Sequence, residues 1–179
     1  MAVTPEWDAQ TVHAELERAR RDFHRLLDAA TAEDLARPTN GTRWNNEQLL
    51  FHMLFGYMIV QTLLVLMRVF GHLPRGVSRV YARPLNLSTR LFDYFNYIGP
   101  CVAVHIYGHR RMGTKFDRVT ASLHRRLDKE TAVDLTRGMH YPARWDPFFT
   151  DYMTLADVYR YPARHYDFHR RQLTLGSDR

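Results

Sequence analysis

The chain has 179 residues, 45% hydrophobic and 25% charged, with a formal charge of +6 and a pI near 9.7. That length and apolar content suit one globular domain spanning residues 1–179 and exclude a disordered chain. The lone Cys101 excludes an internal disulfide, and Met1-Ala2-Val3-Thr4-Pro5-Glu6 lacks the basic and apolar regions of a signal peptide, so a reducing cytoplasm is the expected compartment.

The basic charge points away from nucleic acid because it is dispersed. Arginines alternate with acids in Glu15-Leu16-Glu17-Arg18-Ala19-Arg20-Arg21-Asp22, and no zinc-finger, RRM or helix-turn-helix spacing is present. Leu49 to Phe70 is about long enough to cross a bilayer, but His52, Gln61 and Arg68 interrupt it. A buried central helix explains the same run, so no membrane partner is expected.

Thr4-Pro5 supplies a cap and a first-turn proline for a first helix, whose stripe is Val12, Leu16, Ala19, Phe23, Leu26 and Ala30. Thr31-Ala32-Glu33-Asp34 and Pro38-Thr39-Asn40-Gly41 break it. The second helix opens with Asn45 as N-cap, Gln48 to return the hydrogen bond and Trp44 to staple against Leu49, and runs to about Phe70. On it Leu49, His52, Gly56, Ile59, Leu63 and Met67 share a stripe, so His52 points with the apolar residues. Gly56, one turn on, leaves room for a close approach.

From Gly71 to Pro100 the prolines and glycines forbid one long helix. The segment reads as a partly helical flap packed on the bundle, with a pocket-lining lid as the alternative, and it holds the aromatic group Leu91, Phe92, Tyr94, Phe95 and Tyr97. A third helix after Pro100 carries Val102, Ile106, His109, Phe116, Val119, Leu123 and Leu127. It contains the pair His105 and His109, for which no third ligand is suggested, so lining a cleft or capping a polar gap is the expected role.

Gly138 to Phe149 reads as a loop. Thr154 then caps the last helix with Asp157 at its third position, and Leu155, Val158, Pro162, His165, His169 and Leu173 form the inward stripe. Pro162 is expected to kink this helix and Gly176 to end it. An i,i+4 histidine pair sets two imidazoles one above the other on one face. His52, His165 and His169 can therefore converge on one ion, and three neutral imidazoles suit zinc, nickel or ferrous iron.

At Trp44-Asn45-Asn46-Glu47-Gln48-Leu49-Leu50-Phe51-His52 and at His165 and His169 the sequence resembles the DinB/YfiT-like family. The resemblance covers most of the chain and is vague between Gly71 and Leu127. It implies an all-α four-helix bundle of up-down-down-up topology, commonly a homodimer, with the three histidines holding a divalent metal. Similar proteins include S-transferases and isomerases that use low-molecular-weight thiols such as mycothiol, bacillithiol or glutathione, so the expected activity is thiol transfer to, or isomerisation of, a small electrophilic substrate. A non-catalytic metal or small-molecule binding protein is the alternative. No catalytic residue beyond the ligands is assigned, and Cys101, outside the matched segments, is a poor nucleophile. Arg164, beside the pair, is read as a surface residue that can reach a substrate carboxylate.

Overall fold

The computed structural model describes residues 7–175. Among them are helices α1 (Ala9–Ala29), α2 (Ala32–Ala36), α3 (Asn46–Phe70), α4 (Arg75–Leu87), α5 (Thr89–Leu127), α6 (Ala132–Thr136) and α7 (Leu155–Arg170), with a ribbon of β1 (Gly138–His140) and β2 (Tyr152–Thr154) between α6 and α7. The expected helical class holds, but a simple four-helix bundle omits three helices and the ribbon.

The four long helices run in directions set by their side-chain pairs. His13 meets His124 and His24 meets Asp117, so α1 and α5 are antiparallel. Arg18 with Asp167 and Asp22 with Arg170 make α1 and α7 parallel. His52 lies against His169 while Gly56 lies against His165, which makes α3 and α7 antiparallel; the pairs Phe51–Tyr107 and Tyr57–Phe116 make α3 and α5 parallel. In chain order the long helices thus run up, down, down, up. One aromatic ring from each meets at the centre: Phe23 stacks on Phe116 at 4.5 Å, Tyr57 packs on Phe116 at 4.6 Å and edge-on to Tyr166 at 6.2 Å.

Local chemistry sets most boundaries. Asn45 and Gln48 make the reciprocal cap of α3, and Thr154 with Asp157 caps α7 in the same way; each cap is worth about 1 kcal/mol. Thr31 with Asp34 and Thr131 with Asp134 repeat the device, so Thr31 starts the short helix α2 where only a break is expected. The first helix is capped by Asp8, and Thr4-Pro5 lies outside the described residues. The last helix ends at Arg170 with Arg171 as its cap, before Gly176, which also lies outside them, and it continues through Pro162 as one element.

Two expectations fail in the middle of the chain. The segment after Gly71 is almost wholly helical: α4 passes Pro84, and α5 begins at Thr89 and passes Pro100. As expected the segment is not one long helix, since it divides at Ser88 between α4 and α5, and α5 breaks again at Gly108, whose φ of 59° and ψ of 156° only glycine adopts readily. That residue resets the helical phase, so Val102 and Ile106 are exposed while Phe116, Val119, Leu123 and Leu127 are buried. The second correction is β1, inside the expected loop; it pairs antiparallel with β2, Met139 opposite Met153, and His140 N–H donates to Ser78 Oγ on α4.

By length and composition α3 is apolar enough to cross a membrane, yet most of that stretch is buried within the protein, as in a core helix. Its start is fastened by Asn46, fully buried, which donates to Asp34 O at 2.7 Å and Thr174 Oγ1 at 2.9 Å and accepts from Thr174 N–H at 3.0 Å. Asn40 N–H also donates to Gln172 O at 2.8 Å. These bonds tie the turn after α7 to the start of α3 and fix both histidine-bearing helices at one end.

Candidate metal centre

Three imidazoles meet where α3 crosses α7. His52, His165 and His169 each present a ring nitrogen, all within 4.8 Å of one another, and they form the one such group of three or more found among the described residues. The Nε2 atoms of His52 and His165 are 3.2 Å apart. A tetrahedral ion bound at about 2.0–2.1 Å separates neighbouring ligand nitrogens by about 3.3–3.4 Å, so the His52–His165 spacing suits two ligands of one ion, while the 4.8 Å span of the group is wider.

Each histidine is held by a different part of the sequence. Trp44, just before the α3 cap, packs its ring at a tilt against His52 at 4.5 Å and donates its indole N–H to Tyr97 O at 3.2 Å. Gly56 provides the space for His165: a Cβ there would lie 2.7 Å from Cε1 of the imidazole and closer still to Nδ1. His169 Nδ1 is 2.7 Å from Gln172 Oε1, and with that oxygen as acceptor the proton sits on Nδ1 and the Nε2 lone pair is free for a ligand bond.

His52 and His165 are buried, and His169 is half-buried. Burial and the nearby His169 push the His52 pKa down to about 3. Burial, then His52 and His169, holds His165 well below the ordinary range, and burial lowers His169 against the pull of its Gln172 hydrogen bond. All three are therefore neutral donors at pH 7, the state a metal needs. Among the described residues the Nδ1 atoms of His52 and His165 have no hydrogen-bond partner, although an unsatisfied buried polar atom costs about 1–3 kcal/mol. A cluster of unprotonated, under-satisfied imidazoles fits a divalent ion and is an expensive way to fill a core.

His52 and His165 also line a cavity of about 100 Å³. Its walls include Tyr81, Leu85, Phe92 and Asn96, so the segment after Gly71 lines a pocket instead of only packing on the bundle. Phe92 stacks on Trp145 at 4.2 Å, and the Trp145 indole donates to Leu85 O at 2.8 Å. Asp146 and Tyr161 complete a polar side of the cavity: the Tyr161 hydroxyl donates to Asp146 Oδ2 at 2.8 Å and Phe148 N–H donates to Oδ1 at 2.8 Å. Burial raises the Asp146 carboxyl above the usual range.

The other candidates lie elsewhere. His105 is exposed, with Nδ1 2.8 Å from Cys101 O on its own helix, and His109 sits just past the Gly108 break, so His105 does not fill the expected polar gap in the core. Cys101 is half-buried, its thiol 3.3 Å from Tyr97 O, and Arg164 is exposed; neither lines the cavity. Of the residues missed in the sequence, Tyr161 had a signal, lying one turn before His165, and so did Gln172, three residues after His169. Asp146 had none, because Asp146-Pro147 reads as an ordinary turn and nothing local shows that the Tyr161 hydroxyl bonds its carboxylate.

Two outcomes follow. Gly56→Ala drives a methyl group into the His165 ring, so zinc affinity is expected to fall by about tenfold or more with helix content unchanged; isothermal titration with wild-type affinity would contradict the packing described. The folded histidine pKa values lie below the unfolded value of about 6.5. Their neutral burial thus favours the folded state above that pH, and the advantage is lost as pH falls from about 6.5 toward 3. For metal-free protein the urea midpoint is expected to drop between pH 6.5 and 5, and to drop less in His52→Gln; equal slopes would count against it.

A family model described as the DinB superfamily matches residues 15–173. No curated protein and no solved structure matches the sequence.

Proposed function

The chain belongs to the DinB superfamily, and we propose that it is a divalent-metal-dependent enzyme, a thiol-dependent S-transferase or isomerase acting on a small electrophilic substrate. The observation that carries this reading is that two of the three clustered histidines are also walls of the cavity. The open side of the cluster then faces a space that a substrate enters. His52, His165 and His169 are the proposed ligands, zinc the first choice of metal, with nickel or ferrous iron as alternatives.

When bound, such an ion supplies positive charge that favours the thiolate form of a thiol and polarises a carbonyl. The protein's residues supply the rest. The three imidazoles are neutral and leave the ion's charge uncancelled. The rings of Trp44 and Tyr161 cover His52 and His165 at 4.5 and 5.5 Å and keep water from their faces. The Phe92–Trp145 stack gives a flat apolar body a surface to lie on. The low-molecular-weight thiol is the cosubstrate, and mycothiol, bacillithiol and glutathione all suit this chemistry.

A non-catalytic metal or small-molecule binding protein is the second reading; it needs a further protein ligand to close the site, whereas the cluster among the described residues has three members. Cobalt(II)-substituted protein separates the two. Adding glutathione or mycothiol is expected to produce a near-ultraviolet sulfur-to-cobalt band, and an unchanged spectrum with each thiol would favour the closed, non-catalytic site.

The proposal takes residues 1–179 as one domain acting in the cytoplasm on a small molecule, without nucleic acid or membrane, and as a homodimer. Support for the dimer comes from the outer surface: Val77, Val80 and Leu87 of α4 and Leu91, Tyr94 and Phe95 of α5 are exposed apolar side chains, more than isolated surface residues explain. Sedimentation velocity is expected to give a species of twice the 21.2 kDa chain mass. A monomer at micromolar concentration would rule the dimer out.

A further inference from the structure

The cavity beside the histidines has an uneven chemistry. Its walls are largely aromatic and aliphatic, and among the described residues that line it there is no lysine or arginine. Asp146 is its one acidic residue. Two of the carboxylate's acceptor positions are taken, by Tyr161 Oη and Phe148 N–H, which fix its orientation. A carboxylate has about four, so two remain for a ligand. Among the described residues no basic side chain pairs with it, unlike Asp22, which meets Arg25 and Arg170. Tyr141 lines the same cavity, fully buried, with a hydroxyl that has no hydrogen-bond partner among the described residues.

We infer that Asp146 is a specificity-determining residue: the cavity takes a ring-sized, uncharged or cationic molecule whose N–H or O–H donates to the Asp146 carboxylate, and it rejects anions of the same size. A cavity of about 100 Å³ holds roughly one ring, since a 150 Å³ apolar cavity holds benzene. In the metal-free cavity an anionic ligand would bury its charge beside a like charge, with no basic side chain among the described lining residues to balance it, and that repulsion is the discriminating element. Exposed Arg164 does not line the cavity and brings no balancing charge. The inference rests on reading the cavity as the substrate side of the metal centre, and it concerns the end of the electrophile that meets Asp146, which carries a donor and no carboxylate.

The test uses three probes of equal size on zinc-free protein, so that no probe binds through the metal: benzylamine, benzyl alcohol and benzoate, titrated at pH 8 and followed by tryptophan fluorescence and calorimetry. Benzylamine and benzyl alcohol are expected to bind about tenfold or more tightly than benzoate. Asp146→Asn keeps the shape and the Phe148 contact, so it is expected to fold, to lose most of the benzylamine preference and to bind benzoate more tightly. Benzoate binding equal to the other two in wild type, no binding of any probe, or unchanged selectivity in Asp146→Asn would each overturn the inference. A separate zinc titration distinguishes the two failures. Zinc binding without the predicted probe order overturns the inference and leaves the metal reading standing, whereas the predicted order without zinc binding removes the metal and keeps the assignment of Asp146.

Discussion

The close approach of α3 and α7 at Gly56 and His165 is the contact on which the site depends. A side chain larger than hydrogen at position 56 occupies the place of the His165 ring, so the absence of one lets an imidazole approach the neighbouring helix closely. The rest follows from chain geometry. His52 is one turn before Gly56 and His169 one turn after His165, and because the helices run antiparallel the two added imidazoles arrive at the same end of the contact. The Asn46 bonds to Asp34 and Thr174 and the Asn40 bond to Gln172 hold that end together.

Burial then decides the chemistry. A histidine in water is partly charged near neutral pH, and charged imidazoles repel one another and a metal alike. Here desolvation holds all three neutral, the first cause of each shift, and neutrality makes them capable of binding a metal. The same apolar surroundings form the cavity, so a donor cluster and a space for an apolar molecule come from one arrangement of side chains. Polar groups remain there: Asp146 bonded by Tyr161, and the Tyr141 hydroxyl, which has no hydrogen-bond partner among the described residues and so carries the cost of an unsatisfied buried group.

What could be read in the sequence was local or periodic. The α3 cap is written in Asn45 and Gln48 alone, and the three histidines fall on stripes that helical spacing reveals. The rest depended on distant partners. Gly108 and Gly113 look alike in sequence; the first breaks α5, while the second stays helical, with a Cβ there falling 2.9 Å from the His24 ring. Pro84 and Pro100 look like helix stops, yet α4 and α5 pass through them. Three-residue strands such as β1 are too short for an alternation to show. Asp146-Pro147 reads as an ordinary turn, and only the packing of Tyr161, Trp145 and Phe149 around it turns its carboxylate into part of a cavity wall.

The central claim is that the three histidines hold a metal ion. Elemental analysis of protein purified without an affinity tag, beside folded His52→Ala and His165→Ala variants, tests it most directly. The account predicts near-stoichiometric divalent metal in the wild type and its loss in both variants. A wild-type protein that binds no divalent metal even after reconstitution would contradict it and leave the imidazole cluster as a structural feature of the helical core.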